Sequence, residues 1–244
     1  MKFGKLEIDP TKNPAILDSA TWNPERAWDT ICSLGERYWQ SVQQAIMRRQ
    51  DLPTNERCFP HSASCARYEG RDFLLASLPD GQQIFIEIGT ADKNTLLTEP
   101  IGMKSLGPDS YIAAYKTDAA VIDRYVRLAK PQKGPRALGA TPRLGIGTRM
   151  STALWPGIWR AMDEGGFSAN AIQNSVREVN VLEDILAGKP PRTNHLFNFG
   201  TIEEGHAGST FEGLWVAGVL EALKTQTQPQ FGADADHIMV KRGA

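Results

Sequence analysis

Cysteine is scarce in this 244-residue chain. The three present, Cys32, Cys58 and Cys65, form no CxxC pair, and an odd, irregularly spaced set argues for a reducing compartment rather than a disulfide framework. Long apolar runs are also lacking: none approaches the roughly 18 residues of a membrane-spanning helix. The opening MKFGKLEIDPTKNP is polar and has no apolar core of a secretory signal. Charge of one sign is not in excess. Lys and Arg total 27 against 28 Asp and Glu, which leaves no electrostatic case for nucleic acid or an anionic membrane surface. GIGT at 145–148 is half of a phosphate-binding GxGxxG without its third glycine, so the dinucleotide signal is weak. No repeat or low-complexity tract is present. These absences leave a soluble cytoplasmic protein of one large domain or two small ones, with no indication of oligomeric state.

What is there falls into two rhythms. In PERAWDTICSLGERYWQSVQQAIMRRQ, residues Ala27, Trp28, Ile31, Leu34, Tyr38, Val42, Ala45 and Ile46 recur at three- and four-residue spacing, the mark of a helix with one buried face. Asn23 and Pro24 suit its N-cap and first turn. After a turn-rich stretch, two apolar runs flank Pro79-Asp80-Gly81, a hairpin signal. A strand at Tyr111–Tyr115 and a helix from about Asp118 to Ala129 follow. KPQKGPRALGATP is a Pro/Gly-rich connector, and it sets the expected division into an α+β region, 1–135, and a second domain, 136–244.

Beyond the connector the pattern is strand, helix, strand, helix, strand. PRLGIGT, SANAIQNSVRE and QFGADADH are the strands; STALWPGIWRAMDEGG and STFEGLWVAGVLEALKTQ are the main helices, with a shorter one at VLEDILAGKPP. Ser209 and Glu212 have capping-box spacing. Such alternation is the signature of parallel βα units. A (β/α)₈ barrel takes roughly 250 residues by itself, so the expectation is an α/β fold: the first βα units of a TIM-type barrel, truncated, behind the α+β region. Trp155, Trp159 and Trp215 lie at helical spacing and read as core or interface rather than as sugar platforms.

Parallel strands present functional groups at their C-terminal ends. Those ends carry Gly147, Thr148 and Arg149; then Gln173, Asn174, Ser175, Arg177 and Glu178; then Asp234, Asp236 and His237. Imidazole nitrogen and carboxylate oxygen suit a divalent metal such as Zn, Mn, Ni or Fe. Alternation puts Asp234 and Asp236 on one face and His237 on the other unless the strand ends there. Equally, the cluster reads as loop aspartates beside an incidental histidine. Arg177 has the planar fork for a carboxylate, or is a surface residue paired with Glu178. The Gly-rich stretch 201–213, with Glu203, Glu204 and His206, reads mainly as a capped helix entrance. His61 and His195 sit in polar loops and read as solvent-exposed.

Taken together, RLGIGT, QNSVRE and FGADADHIMVKRG resemble the tagaturonate/fructuronate epimerase family over about residues 136–243. Residues 1–130 carry no matching motif and would be that family's variable N-terminal region. The stretch 188–208 is longer than expected for it, which puts substrate preference in question. The resemblance implies a metal-dependent isomerase on a barrel-type domain, acting on a small sugar acid by retro-aldol and aldol chemistry at C4. It implies Asp236 as proton acceptor and His237 as metal ligand; Arg177, Gln173 and Asp234 would bind substrate. Further metal ligands and a second acid/base group would lie outside this chain. Two other readings stand beside it: another metal-dependent sugar isomerase or aldolase on the same barrel, and a non-catalytic carbohydrate-binding domain.

Overall fold

The computed structural model describes residues 2–3, 6–7, 24–90, 94–146, 155–175, 211–226 and 230–236; for 2–3, 6–7, 24, 173–175, 211–213 and 234–236 the description is of backbone alone. The chain divides into two compact units, one made of Trp22–Gly134 with Leu223–Gln226, the other of the remainder. The first strands, β1 (Lys2–Phe3) and β2 (Leu6–Glu7), form a short antiparallel pair.

In the first unit the helical periodicity of residues 24–48 is realised as two helices, α1 (Pro24–Ser33) and α2 (Gly35–Arg48). A single helix was the expectation. Gly35 adopts φ +74, a conformation outside the right-handed helix that glycine tolerates without a Cβ penalty. The apolar stripe survives the break: Ala27, Ile31, Trp39 and Val42 are fully buried. Trp39, inside the same stretch, fills the core and donates its indole N–H to the Ile31 carbonyl at 3.1 Å.

These helices cover one face of an antiparallel sheet of β3 (Phe59–Pro60), β4 (Ala66–Tyr68), β5 (Arg71–Ser77), β6 (Gln83–Thr90), β7 (Gly102–Ser105) and β8 (Ser110–Tyr115). The order is β3-β5-β6-β8-β7, with β4 also on β5. The β5–β6 hairpin turns at Pro79–Gly81, where Gly81 takes φ +86, as the turn residues require. Leu74, Ile84, Ile86, Ile88 and Ile112 meet α1 and α2. On the opposite face Phe73 and Phe85 pack on Tyr125 of α3 (Ala119–Ala129), at ring separations of 5.9 and 4.8 Å. Burial on both faces is why β5 and β6 read as nearly continuous apolar runs rather than alternating ones. The carboxylate of Asp118 caps α3, accepting from the Val121 amide at 2.9 Å.

The second unit holds a parallel sheet of β9 (Arg143–Gly145), β10 (Ser168–Ser175) and β11 (Phe231–Asp236). Between the strands run α4 (Trp155–Gly165) and α5 (Phe211–Lys224). Spatial order follows chain order, β9-β10-β11. Trp155 and Trp159 are fully buried and stack at 5.4 Å; Trp159 meets Phe231 at 4.6 Å. Gly218 brings α5 close: a Cβ there would stand 2.8 Å from Ile172 and 3.1 Å from Trp155. Phe231 and Ile172 thus lie on the helix-covered side. Among the described residues this sheet is open at β9 and β11. The expected short helix at 181–191, the Asn23 cap and the Ser209 cap lie outside the described residues.

Candidate active site

The C-terminal ends of β10 and β11 lie side by side. Across the parallel ladder Gln173 is in register with Asp234, Asn174 with Ala235, and Ser175 with Asp236. The pairing shifts between Asn170 and Ile172, a bulge that sets one extra residue, Ala171, on β10. Because of that shift two sets of positions emerge. Ala169, Ile172 and Asn174 align with Phe231, Ala233 and Ala235 on the side of the helices. Asn170, Gln173 and Ser175 align with Gly232, Asp234 and Asp236 on the other side. Without the bulge, positions 173 and 175 would fall on the helix-covered side.

Gly232 is needed at this ladder. A Cβ there would come within 2.4 Å of Asn170 Oδ1 and 3.5 Å of the Arg136 carbonyl oxygen. Arg136 itself donates its amide to the Phe231 carbonyl at 3.0 Å, so the connector residue is hydrogen-bonded to the start of β11. Asn170 is a residue that the motif reading passed over. The available signal was a single amide inside the apolar run SANAI, one β-period before Gln173 once the bulge is counted.

Of the five residues singled out in the sequence, Gln173, Asp234 and Asp236 are placed by their backbones at adjoining strand ends. Arg177 and His237 lie outside the described residues, as do Gly147–Arg149, His195 and the loop with His206. The donor types that follow one another here, carboxylate, carboxylate and imidazole, are of the kind that holds a divalent cation. Among the described residues no group of three or more His, Cys, Asp or Glu is placed to hold one.

The first unit has its own polar centre, which pattern reading did not anticipate. Glu87 of β6 is fully buried. It accepts from Tyr111 Oη at 2.5 Å, Tyr115 Oη at 2.7 Å and the Leu96 amide at 3.2 Å. Arg71 Nε stands 3.2 Å from its Oε1. Burial, with the Glu87 hydrogen bond next, pushes the Tyr111 hydroxyl up to about 12, so both tyrosines are donors at any ordinary pH. The arrangement ties β6 to β5 and β8. Its sequence signal was a glutamate in the middle of IFIEIG.

His61, expected at the surface, is half-buried instead. Its Nε2 lies 2.8 Å from Ser77 Oγ, and its amide donates to the Leu75 carbonyl at 2.9 Å. Pairing of β3 with β5 draws this loop onto the sheet. Burial, then the charge of Lys224, lowers the imidazole to about 4. The cysteines are free thiols; burial pushes Cys58 and Cys65 up to about 12, which keeps them protonated and unreactive. Among the described residues no helix is long and apolar enough to cross a membrane.

The architecture is mixed α/β, an antiparallel sheet plus a small parallel one built from consecutive βα units. It is structurally similar to part of a sugar-acid epimerase. Solved structures of the fructuronate-tagaturonate epimerase UxaE from Cohnella laeviribosi match it. The one-glycerol and two-glycerol complexes match with TM-scores of 0.51 and 0.50 at 17% identity, covering 82% of this chain and 33% of theirs. The native form matches with a TM-score of 0.50 over 75% of this chain and 31% of its own. The chain therefore spans about a third of that enzyme's length. Since residues 136–244 make up less than half of the chain, a match of this extent also takes in the antiparallel unit. At such identity the likeness is one of fold. No protein-family model and no curated protein matches the sequence.

Proposed function

We propose that this chain is the N-terminal portion of a metal-dependent hexuronate epimerase that interconverts tagaturonate and fructuronate. In this reading residues 1–135 form an α+β region and residues 136–244 begin a (β/α) barrel. One observation carries it: two parallel strands end side by side with Gln173 opposite Asp234 and Ser175 opposite Asp236, in a chain whose fold matches a third of such an enzyme. The burial of Trp155 and Trp159 weighs against a carbohydrate-binding face built on those rings.

The two uronates differ at C4, whose hydroxyl is β to the C2 ketone. Asp236 takes the C4 hydroxyl proton. The C3–C4 bond then breaks, leaving an aldehyde at C4 and an electron pair on the C1–C3 fragment. Arg177 holds the carboxylate end, and Gln173 and Asp234 bind substrate hydroxyls, while the aldehyde turns its other face. The bond re-forms and Asp236 returns the proton. His237 would be among the ligands of a divalent cation, which would supply charge stabilisation at the ketone oxygen.

The test is to read the coding frame beyond codon 244, express the full product and follow the two uronates by NMR in the presence of Zn, Mn, Ni or Fe. Asp236→Asn and His237→Ala are each expected to cut turnover by about a thousandfold or more, as expected for groups that act in the transition state. Arg177→Gln is expected to raise KM. Full turnover by the Asp236→Asn, His237→Ala double variant would sink the assignment.

A further inference from the structure

Apart from the strand ends, the antiparallel unit has a cleft of about 500 Å³, a size suited to a small molecule. It lies where α2 ends and β4 begins. Ile46, Leu52, Cys65, Asp51, Arg49 and Arg67 are among the residues that line it. Arg49 is held in place by its backbone. It is the left-handed C-cap of α2 (φ 55, ψ 42), with its amide on the Ala45 and Ile46 carbonyls. A non-glycine residue in that conformation is uncommon. Arg67 is held from behind: its Nε stands 3.8 Å from Oδ1 of Asp72, a fully buried carboxylate. Among the described residues neither guanidinium makes a hydrogen bond, although each carries five N–H donors.

We infer that this cleft binds a small organic anion, a carboxylate or phosphate ester on a hexose-sized body, between Arg49 and Arg67. Planar guanidinium forks match both anionic groups in two-point contact. Ile46 and Leu52 cover the carbon skeleton. Asp51 limits the affinity and sets a preference against neutral or cationic bodies that lack an anionic head. Because both arginines are substantially exposed, binding is modest and weakens with salt.

The experiment is calorimetric titration of the 244-residue chain with gluconate, with glucose 6-phosphate and with neutral glucose, at low and raised ionic strength. Saturable binding of at least one anion, absent for glucose and weakened by salt, is expected. The two anions distinguish a carboxylate site from a phosphate site. Arg49→Gln, at an exposed position, is expected to weaken binding at least tenfold. Arg67→Gln strands Asp72, so it is made together with Asp72→Asn, and that pair is expected to weaken binding equally while circular dichroism stays native. Asp51→Asn is expected to tighten it. Absence of saturable anion binding, or binding unchanged in both Arg49→Gln and Arg67→Gln/Asp72→Asn, overturns the inference.

Discussion

Tyr115 Oη lies 2.7 Å from Glu87 Oε2 and donates to it, in a stretch of β6 that is buried from Gln83 to Gly89. Two tyrosine hydroxyls, a backbone amide and the Arg71 guanidinium converge on this one carboxylate. Glu87→Gln removes the buried counter-charge of Arg71 and leaves it only the exposed Glu69 carboxylate, 3.8 Å from Nη1, and the expected loss is about 3 kcal/mol in urea unfolding. Tyr115→Phe removes one neutral donor and is expected to cost about 1 kcal/mol. A loss below about 1 kcal/mol for Glu87→Gln would mean that Arg71 relaxes to water, and that the cluster contributes little.

The contact of Gly232 with Asn170 predicts a coupled pair. Gly232→Ala puts a methyl 2.4 Å from Asn170 Oδ1, and overpacking of that kind costs about 1–3 kcal/mol. Asn170→Ala opens the space, so in the double variant the alanine at 232 is expected to cost much less. Additive losses would show that β11 moves rather than Asn170.

His61 predicts a pH dependence. Its imidazole titrates at about 4 in the folded protein against about 6.5 unfolded. As pH falls the unfolded chain takes up the proton first. The contribution of neutral His61 to stability is therefore fully present above pH 6.5 and is lost between 6.5 and 4. The loss is expected to be on the order of 1–3 kcal/mol. In His61→Gln, urea midpoints at about pH 7 and about pH 4.5 should differ by correspondingly less than in the parent. An unchanged difference would assign the acid sensitivity elsewhere.

Asp72 predicts the opposite sign. Burial raises its carboxyl, against the lowering effects of Arg67 and of a hydrogen bond from Gln43. The folded protein therefore holds this proton more tightly than the unfolded chain, and the cost of ionising Asp72 grows as pH rises above the ordinary carboxylate range. Asp72→Asn is expected to stabilise the protein by about 1–2 kcal/mol at neutral pH. The gain should shrink in acid. Destabilisation at pH 7 would show that attraction to Arg67 outweighs dehydration.

The expectations that held were the ones written in short stretches of chain. The hairpin at Pro79–Gly81, the helix from about Asp118 to Ala129 and the parallel strands 143–145, 168–175 and 231–236 were all legible. Apolar period and turn residues act within a few positions, and both survive any tertiary context. The helix break at Gly35 was missed because the apolar stripe continues through it. His61 was misread because a polar loop looks the same whether or not a strand pairing draws it down onto a sheet.

By itself, then, the sequence determined the longer helical stretches, the β5–β6 hairpin and the strand of β8, and that its second half alternates strands and helices in parallel fashion. Tertiary structure alone decided who stands next to whom. Gln173 faces Asp234, and polar positions 170, 173 and 175 share a side, only because a one-residue bulge offsets two strands that are far apart in the chain. Glu87 became a buried hub only because residues from β5 and β8 supply its donors. Register and burial are properties of the partners a segment meets, and a period of two or of three to four residues carries no record of them.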